Sequence, residues 1–146
     1  MSNINKNTPQ LNRLLDIMQQ LRDPQTGCPW DQKQNFESIV AHTIEETYEV
    51  ADAIFSGNMV DIKDELGDLL FQIVFYAQLA KEQGDFEFED IAQAISDKLV
   101  RRHPHVFQTT ELKTDDELNL QWEKIKLQER EVAAKPDDKS VLANIP

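Results

Sequence analysis

Apolar residues recur every three or four positions in five stretches of the chain. That spacing places them on one face of an α-helix, and glycines and prolines separate the stretches. The pattern predicts helices over about 9–22, 36–56, 61–83 and 88–103, and another from 114 onward. Segment 23–31, which holds two prolines and a glycine, is predicted to be a loop. The expected fold is therefore all-α, a bundle of about five helices.

Residues at the ends of these stretches match helix-capping preferences. Thr8 followed by Pro9 is typical of an N-cap residue with proline at the first helical position. The residues that end the second, third and fourth helices are Gly57, Gly84 and Pro104. Pairs spaced i, i+3 are interpreted as caps at the starts of the third and fifth helices: Asp61 with Asp64, and Thr114 with Glu117.

Apolar faces on the second, third and fourth helices are expected to form the core. The residues concerned are Ile44, Tyr48, Ala51 and Phe55, then Leu66, Leu69, Leu70 and Ile73, then Ile91, Ile95, Leu99 and Val100. Packing of the second helix on the third through these faces would leave their acidic faces side by side.

The chain has 146 residues, of which 40% are hydrophobic and 29% are charged. These values are typical of a globular protein and predict one domain over 1–135, followed by a tail or linker over 136–146. The single cysteine, Cys28, excludes an intramolecular disulfide, and the sequence has neither a signal-like N-terminus nor an 18-residue apolar run. We therefore expect a soluble, cytoplasmic protein that does not bind a membrane.

Acidic residues outnumber basic residues by 27 to 15, which gives a net charge of −12. Phosphate backbones attract basic surfaces, so this charge argues against a nucleic-acid partner. The negative charge does not exclude a nucleotide as a ligand or substrate.

Much of the negative charge lies on the second and third predicted helices. Residues 45–68 contain one lysine and eight acids, namely Glu45, Glu46, Glu49, Asp52, Asp61, Asp64, Glu65 and Asp68. On each helix the acids share one face. No lysine or arginine occurs over 34–62, so these like charges are not compensated locally. One interpretation is a solvated acidic surface, and the other is a site that a cation neutralises.

The spacing of four of these acids suits a cation. Glu46 with Glu49, and Glu65 with Asp68, have the same i, i+3 spacing on consecutive helices, so two carboxylate pairs can converge. All-oxygen ligands favour Mg²⁺ or Mn²⁺, and Mg²⁺ commonly binds phosphates as well. Glu45, beside the first pair, could orient or deprotonate a water molecule.

Positive and aromatic side chains elsewhere could bind an anionic substrate. Lys98 and Arg102 lie four residues apart on the fourth helix, where they could hold phosphates or simply stabilise the helix C-terminus. Trp122 and Lys126 have the same spacing on the fifth helix. Trp30 could stack on a nucleobase or anchor the core. For these residues the pattern leaves both alternatives open.

Four motifs occur in order along the chain: CPWD at 28–31, EETYEV at 45–50, DELGDLL at 64–70 and RRHPHVF at 101–107. Together they resemble the MazG family of nucleoside triphosphate pyrophosphohydrolases, within the all-α NTP pyrophosphatase superfamily. The resemblance extends over about 11–129.

The resemblance implies Mg²⁺-dependent hydrolysis of an NTP or dNTP to the monophosphate and pyrophosphate, by attack of water at the α-phosphorus. Mn²⁺ is the expected substitute ion. It implies metal ligands at Glu46, Glu49, Glu65 and Asp68, with Glu45 as an auxiliary carboxylate. It implies substrate contacts from Lys98, Arg102, Trp122 and Lys126, to which we add Trp30. It also implies a homodimer or higher homo-oligomer that completes the helical bundle.

Two other functions remain open from the sequence. The linker-like tail, Lys139 to Pro146, fits a domain of a longer protein, so the chain could be a catalytically weak regulatory or dimerisation domain that binds metal and nucleotide. An acidic helical interaction module without a ligand site is a third hypothesis.

Overall fold

The computed structural model describes residues 8–108 and 113–133. Within these ranges the chain forms helices and no strand, which confirms the all-α class. The helices are α1 (Pro9–Leu21), α2 (Pro29–Gln32), α3 (Phe36–Ser56), α4 (Met59–Gln83), α5 (Phe88–Arg102), α6 (Pro104–Phe107) and α7 (Asp115–Ala133). The predicted tail from Pro136 lies outside the described residues. Among the described helices, none is both long enough and apolar enough to cross a lipid bilayer.

The two short helices, α2 and α6, were not predicted. The prediction of a loop over 23–31 is wrong at its end, where α2 begins with Pro29. Both helices have proline in their first turn, a position that proline favours because it has no N–H to donate and its φ is already helical. A helix of four residues is too short to show periodicity in the sequence.

The long helices begin and end at identifiable caps. Asn35 and Ser38 form a capping box at the start of α3. The predicted Asp61–Asp64 cap on α4 is wrong, because α4 begins two residues earlier and Asn58 accepts hydrogen bonds from the N–H groups of residues 60 and 61. Gly57 and Gly84 end α3 and α4 as predicted, with φ of 78° and 80°.

The chain divides into two compact units at Ile91–Ala92. In the first unit α3 and α4 form an antiparallel hairpin, and α1 packs against α4. The core of this unit consists of Met18, Ile39, Val74, Phe75 and Leu79.

Arg22, just after α1, connects three elements of the first unit. Its guanidinium donates to both carboxylate oxygens of Glu82 on α4, at 2.6 and 3.0 Å. It also donates to the main-chain oxygens of Asp31 in α2 and Gln34, at 2.6 and 3.1 Å. Because these bonds join α2 to α1 and α4, they determine where the following residues enter α3.

The predicted core faces of α3 and α4 are largely exposed in the single chain. Tyr48 and Phe55 on α3 are 69% and 89% exposed, and Leu66 on α4 is 48% exposed. The same holds on α5, where Ile95 and Leu99 are nearly half exposed. The prediction was wrong for α3 and α4 because these helices carry apolar residues on more than one side, and one chain buries only one side of each; on α5 no residue is fully buried.

Candidate functional site

Three acidic side chains of α3 and α4 converge where the two helices pack. Carboxylate oxygens of Glu46, Glu65 and Asp68 lie within 4.8 Å of one another. We call these three residues the acidic cluster. Glu46 and Glu65 are half-buried between the helices, whereas Asp68 is exposed. The acidic cluster therefore joins carboxylates of α3 and α4 at partly accessible positions.

The cluster concentrates negative charge without a neutralising side chain. Partial burial raises the pKa of Glu46 above its ordinary value, and the negative charge of Asp68 is the next largest cause. The same two causes, in the same order, raise the pKa of Glu65. None of the ion pairs in the described ranges involves a member of the cluster. Folding thus gathers charges that repel one another, and a bound cation would remove that repulsion.

The geometry of the cluster fits a small divalent cation. In an octahedral Mg²⁺ site with bonds of about 2.1 Å, adjacent ligand oxygens are about 3.0 Å apart and opposite ones about 4.2 Å apart. The oxygens of the acidic cluster, all within 4.8 Å of one another, can reach these separations by side-chain rotations. An all-carboxylate set is the ligand type that Mg²⁺ and Mn²⁺ prefer.

Two other predicted site residues lie on the same part of α3. Glu49 is exposed one turn after Glu46, and its charge contributes to the raised pKa values of Glu46 and Glu65. It is near the cluster, but its oxygens are not among those within 4.8 Å. Glu45 is exposed beside Glu46, where its carboxylate can reach solvent.

Trp30 of α2 lies against α3 near the cluster. Its ring packs edge-on against His42 with centroids 5.5 Å apart, and against Phe75 at 6.5 Å. His42 is one turn before Glu46. It lowers the pKa of Glu46, but by less than burial and the neighbouring carboxylates raise it. Trp30 is nevertheless 48% exposed, so its ring both packs on the core and offers a surface for stacking.

In the second unit, Arg102 and Trp122 line a cavity of about 360 Å³ together with His103, His105 and Asp115. His103 lies 6.2 Å from the Trp122 ring and 5.6 Å from the His105 ring, measured between centroids. The cavity is thus edged by groups that can donate hydrogen bonds to an anion and by aromatic surface.

Lys126 lies one turn after Trp122 on α7 and is almost fully buried, with 9% exposure. Its ammonium nitrogen is 4.3 Å from the centre of the Trp122 ring, which is a cation–π contact. The second unit therefore contains three of the predicted substrate-binding residues. Trp122 lines the cavity together with Arg102 and also contacts Lys126. Lys98 is exposed on α5, one turn before Arg102.

Glu129 of α7 is a partner that the sequence pattern did not reveal. Its carboxylate accepts hydrogen bonds from Arg101 Nε at 2.9 Å, and from Arg102 Nε and Nη2 at 3.1 and 2.9 Å. The bonds from Arg102 and then Arg101 lower the pKa of Glu129 to about 2. Within residues 8–108 and 113–133, Nη1 of Arg102 donates no hydrogen bond, so an anion could still accept one from it. The separation of 27 residues is not a helical spacing, so no local pattern could have indicated this pair.

We expect Glu129 to stay ionised in the folded protein well below the ordinary glutamate pKa of 4.5. Since folding lowers this pKa, the stability that the carboxylate contributes is present above about pH 4.5 and is lost as the pH falls toward 2. Carboxyl ¹³C NMR should place its midpoint near 2, and Arg102→Ala should raise it. Arg130→Ala, which removes a charge from the adjacent residue, is the control. An unchanged midpoint in Arg102→Ala would contradict the assignment of the hydrogen bonds as its cause.

Comparison with known proteins identifies the family. The model of the MazG nucleotide pyrophosphohydrolase domain matches residues 34–107, half of the chain. The match includes α3, α4, the acidic cluster and the RRHPHVF motif.

Individual relatives support the same family assignment. A nucleoside triphosphate pyrophosphohydrolase of Escherichia coli K12 is 55% identical over 137 residues, which is 94% of this chain and 51% of that protein. A protein of Thermotoga maritima named nucleoside triphosphate pyrophosphohydrolase/pyrophosphatase MazG is 47% identical over 80% of this chain and 44% of its own length. The chain spans about half the length of these curated relatives.

A solved structure also resembles the chain. The crystal structure of a mazG-related protein from Thermotoga maritima superimposes with a TM-score of 0.66 and 27% identity, covering 80% of this chain and 98% of that one. From the domain match, the relatives and the fold, the chain belongs to the MazG nucleotide pyrophosphohydrolase family.

Proposed function

We propose that the chain is a Mg²⁺-dependent nucleoside triphosphate pyrophosphohydrolase that converts an NTP or dNTP to the monophosphate and pyrophosphate. The observation that carries the proposal is the acidic cluster, an uncompensated set of carboxylates that converges between α3 and α4. The names of the relatives support the substrate class.

The carboxylates of α3 and α4 divide into two roles in this proposal. Glu46, Glu65 and Asp68, joined by Glu49, hold the cation, with Mn²⁺ as a possible substitute for Mg²⁺. When bound, the ion would offset phosphate charge and make water a stronger acid. Glu45, exposed beside Glu46, orients the attacking water and accepts its proton.

The remaining predicted residues bind the substrate. Lys98 and Arg102 contact phosphates, and Lys126 on the face of Trp122 places a third positive charge in the same unit. Trp30 and Trp122 offer ring surface for a nucleobase, since both are at least 40% exposed. Stacking alone discriminates weakly among bases, so we propose no preferred base.

The reaction balances without another reactant. A water oxygen forms a bond to the α-phosphorus, the bond from that phosphorus to the α–β bridging oxygen breaks, and pyrophosphate leaves with the electron pair. The proton lost by the water passes to a carboxylate on α3.

The proposal is tested by incubating the purified chain with each NTP and dNTP and Mg²⁺ in H₂¹⁸O. We expect release of monophosphate and pyrophosphate, with ¹⁸O in the monophosphate only, and no release when EDTA replaces Mg²⁺. Label in the pyrophosphate would refute attack at the α-phosphorus. Absence of product from all nucleotides, with the protein shown to be folded, would refute the activity.

A second candidate function is a catalytically weak regulatory or dimerisation domain that binds metal and nucleotide, the alternative that the sequence leaves open. Calorimetric binding of an NTP with Mg²⁺, but no product, would support this alternative over the hydrolase.

We also propose that the chain forms a homodimer through the outer apolar side of the α3–α4 hairpin. Ile44, Tyr48 and Phe55 form a stripe on α3 with exposures of 53%, 69% and 89%. Leu66, Leu70 and Ile73 add apolar surface on α4. Contiguous exposed apolar residues commonly mark protein interfaces.

Light scattering should give a dimer mass for the wild type and a lower mass for Phe55→Glu, because a charge at this position would be buried in the interface. Val132→Glu is a matched control, since Val132 on α7 is also 89% exposed and should tolerate the charge. A monomeric wild type, or an equal effect of both substitutions, would contradict the interface.

A further inference from the structure

A polar network crosses the α3–α4 contact one turn away from the acidic cluster. The Thr43 hydroxyl on α3 is 2.6 Å from the Tyr76 hydroxyl on α4 and 3.3 Å from Oε1 of Gln72. It is also 3.1 Å from the main-chain oxygen of Ile39. The network is only partly accessible, and Gln72 is 7% exposed.

The position of the network relative to the acidic cluster is the same on both helices. Thr43 precedes Glu46 by three residues on α3, and Gln72 follows Asp68 by four residues on α4. These separations are about one helical turn, so the network and the cluster are successive layers of the same helix contact. A change in the rotation of α3 against α4 at one layer is transmitted to the next, because a helix is stiff over one turn.

The chemistry of the network makes it specific for one arrangement. The Thr43 hydroxyl has one hydrogen, so when it donates to Gln72 or Ile39, the Tyr76 hydroxyl must donate to Thr43. Tyr76 is held in turn by stacking on Phe36, with ring centroids 5.8 Å apart and planes at 14°. A slip or rotation of either helix would leave poorly hydrated polar groups unpaired.

We propose that Thr43, with Gln72 and Tyr76, is a positioning group for the metal site. Its hydrogen bonds determine the rotation and register at which α3 meets α4, and hence whether Glu46 faces Glu65 and Asp68. The cluster needs such a constraint because its carboxylates repel one another when no cation is bound. This inference rests on the proposed function, since it assigns a role in assembling the proposed metal site.

The test is calorimetric titration of Mg²⁺ into the full chain and its variants, without nucleotide. Thr43→Val keeps the shape of the side chain and removes the hydroxyl, so we expect about 10-fold weaker Mg²⁺ binding, the loss typical of groups that orient metal ligands. Tyr76→Phe should have a similar effect. Thr43→Ser, which keeps the hydroxyl, should restore binding close to that of the wild type.

Thr47→Val is the matched control. Thr47 is one turn further along α3, and its hydroxyl donates to the main-chain oxygen of Thr43 in the same helix at 2.9 Å, so it does not join the two helices. We expect this variant to bind Mg²⁺ like the wild type, and circular dichroism should show that all variants are folded.

The outcomes separate this inference from the proposed function. Wild-type protein that binds no Mg²⁺ would refute the proposed metal site, and this inference with it. Wild-type protein that binds Mg²⁺, with Thr43→Val binding equally well, would refute the positioning role alone. Equal weakening by Thr43→Val, Thr43→Ser and Thr47→Val would also refute it, because the loss would then not depend on the bridging hydroxyl.

Discussion

Asp68→Asn is expected to lower kcat/KM for nucleotide hydrolysis more than about 100-fold, since loss of a group that merely orients a metal ligand already costs about 10-fold to 100-fold in affinity or activity. The substitution keeps the size of the side chain and removes the charge that completes the acidic cluster. Glu46→Gln should have a comparable effect. Steady-state kinetics with the best NTP or dNTP and saturating Mg²⁺ provides the measurement.

Thermal unfolding distinguishes loss of a ligand from loss of the fold. Asp68 raises the pKa of its neighbours Glu46 and Glu65 through repulsion, so its neutralisation should leave the metal-free protein at least as stable as the wild type. The rise in melting temperature on adding Mg²⁺, which we expect for the wild type, should become much smaller.

Asp64→Asn is the matched control for Asp68→Asn. Asp64 is an exposed aspartate on the same helix, and it is not a member of the acidic cluster. Its neutralisation should change kcat/KM little. If Asp68→Asn kept the wild-type rate, or if Asp64→Asn lost as much activity, the ligand assignment would be wrong.

Gly27→Ala is expected to have the largest effect on stability. A Cβ at this position would lie 2.3 Å from the main-chain oxygen of Leu21 and 2.6 Å from that of Asp23. These oxygens cannot move freely, because they accept hydrogen bonds from the N–H groups of Cys28 and Gly27, each at 2.9 Å. We expect a loss of about 3 kcal/mol, at the upper end of the usual cost of overpacking.

Differential scanning calorimetry should show this loss as a fall of about 6–10 °C in melting temperature. Gly67→Ala is the control of opposite sign. Gly67 lies inside α4, where an added Cβ would meet nothing within 4 Å, so alanine should stabilise the helix by about 0.5–1 kcal/mol. A Gly27→Ala variant that melts like the wild type would show that the 23–28 turn can open to admit a methyl group.

The placement of the acids changes the interpretation of the net charge of −12. The sequence predicted acidic faces side by side, and the structure brings carboxylates of both helices within 4.8 Å of one another, with Glu46 and Glu65 partly buried. Like charges so close together are costly unless they are compensated, whereas separated acids on a solvated face are not. The position of the two side chains, more than the number of acids, therefore favours a cation site.

Local properties of the sequence were sufficient to predict the helices. The predicted bounds of 36–56 agree with α3, and Gly57 and Gly84 end their helices as expected. Periodicity and capping depend on residues within one or two turns of each other, so they can be recognised without knowledge of the fold. The same holds for the i, i+3 acid pairs, which the sequence placed on consecutive helices.

Contacts between distant residues were beyond the reach of that reasoning. Arg102 and Glu129 are 27 residues apart, and Thr43 and Tyr76 are 33 apart. Neither pair has a spacing that a helix or turn would explain, and each depends on how two helices are rotated when they pack.

The sequence by itself determined the all-α class, the long helices and the family motifs, because these follow from short-range periodicity and residue order. Only the tertiary structure decided which side of α3 is buried, and thus that Glu46 rather than Glu45 or Glu49 enters the contact with α4. The physical reason is that α3 is apolar on more than one side. In the folded chain Ile39 lies in the core and the Thr43 hydroxyl lies 2.6 Å from that of Tyr76 on α4, and both are interactions with another helix.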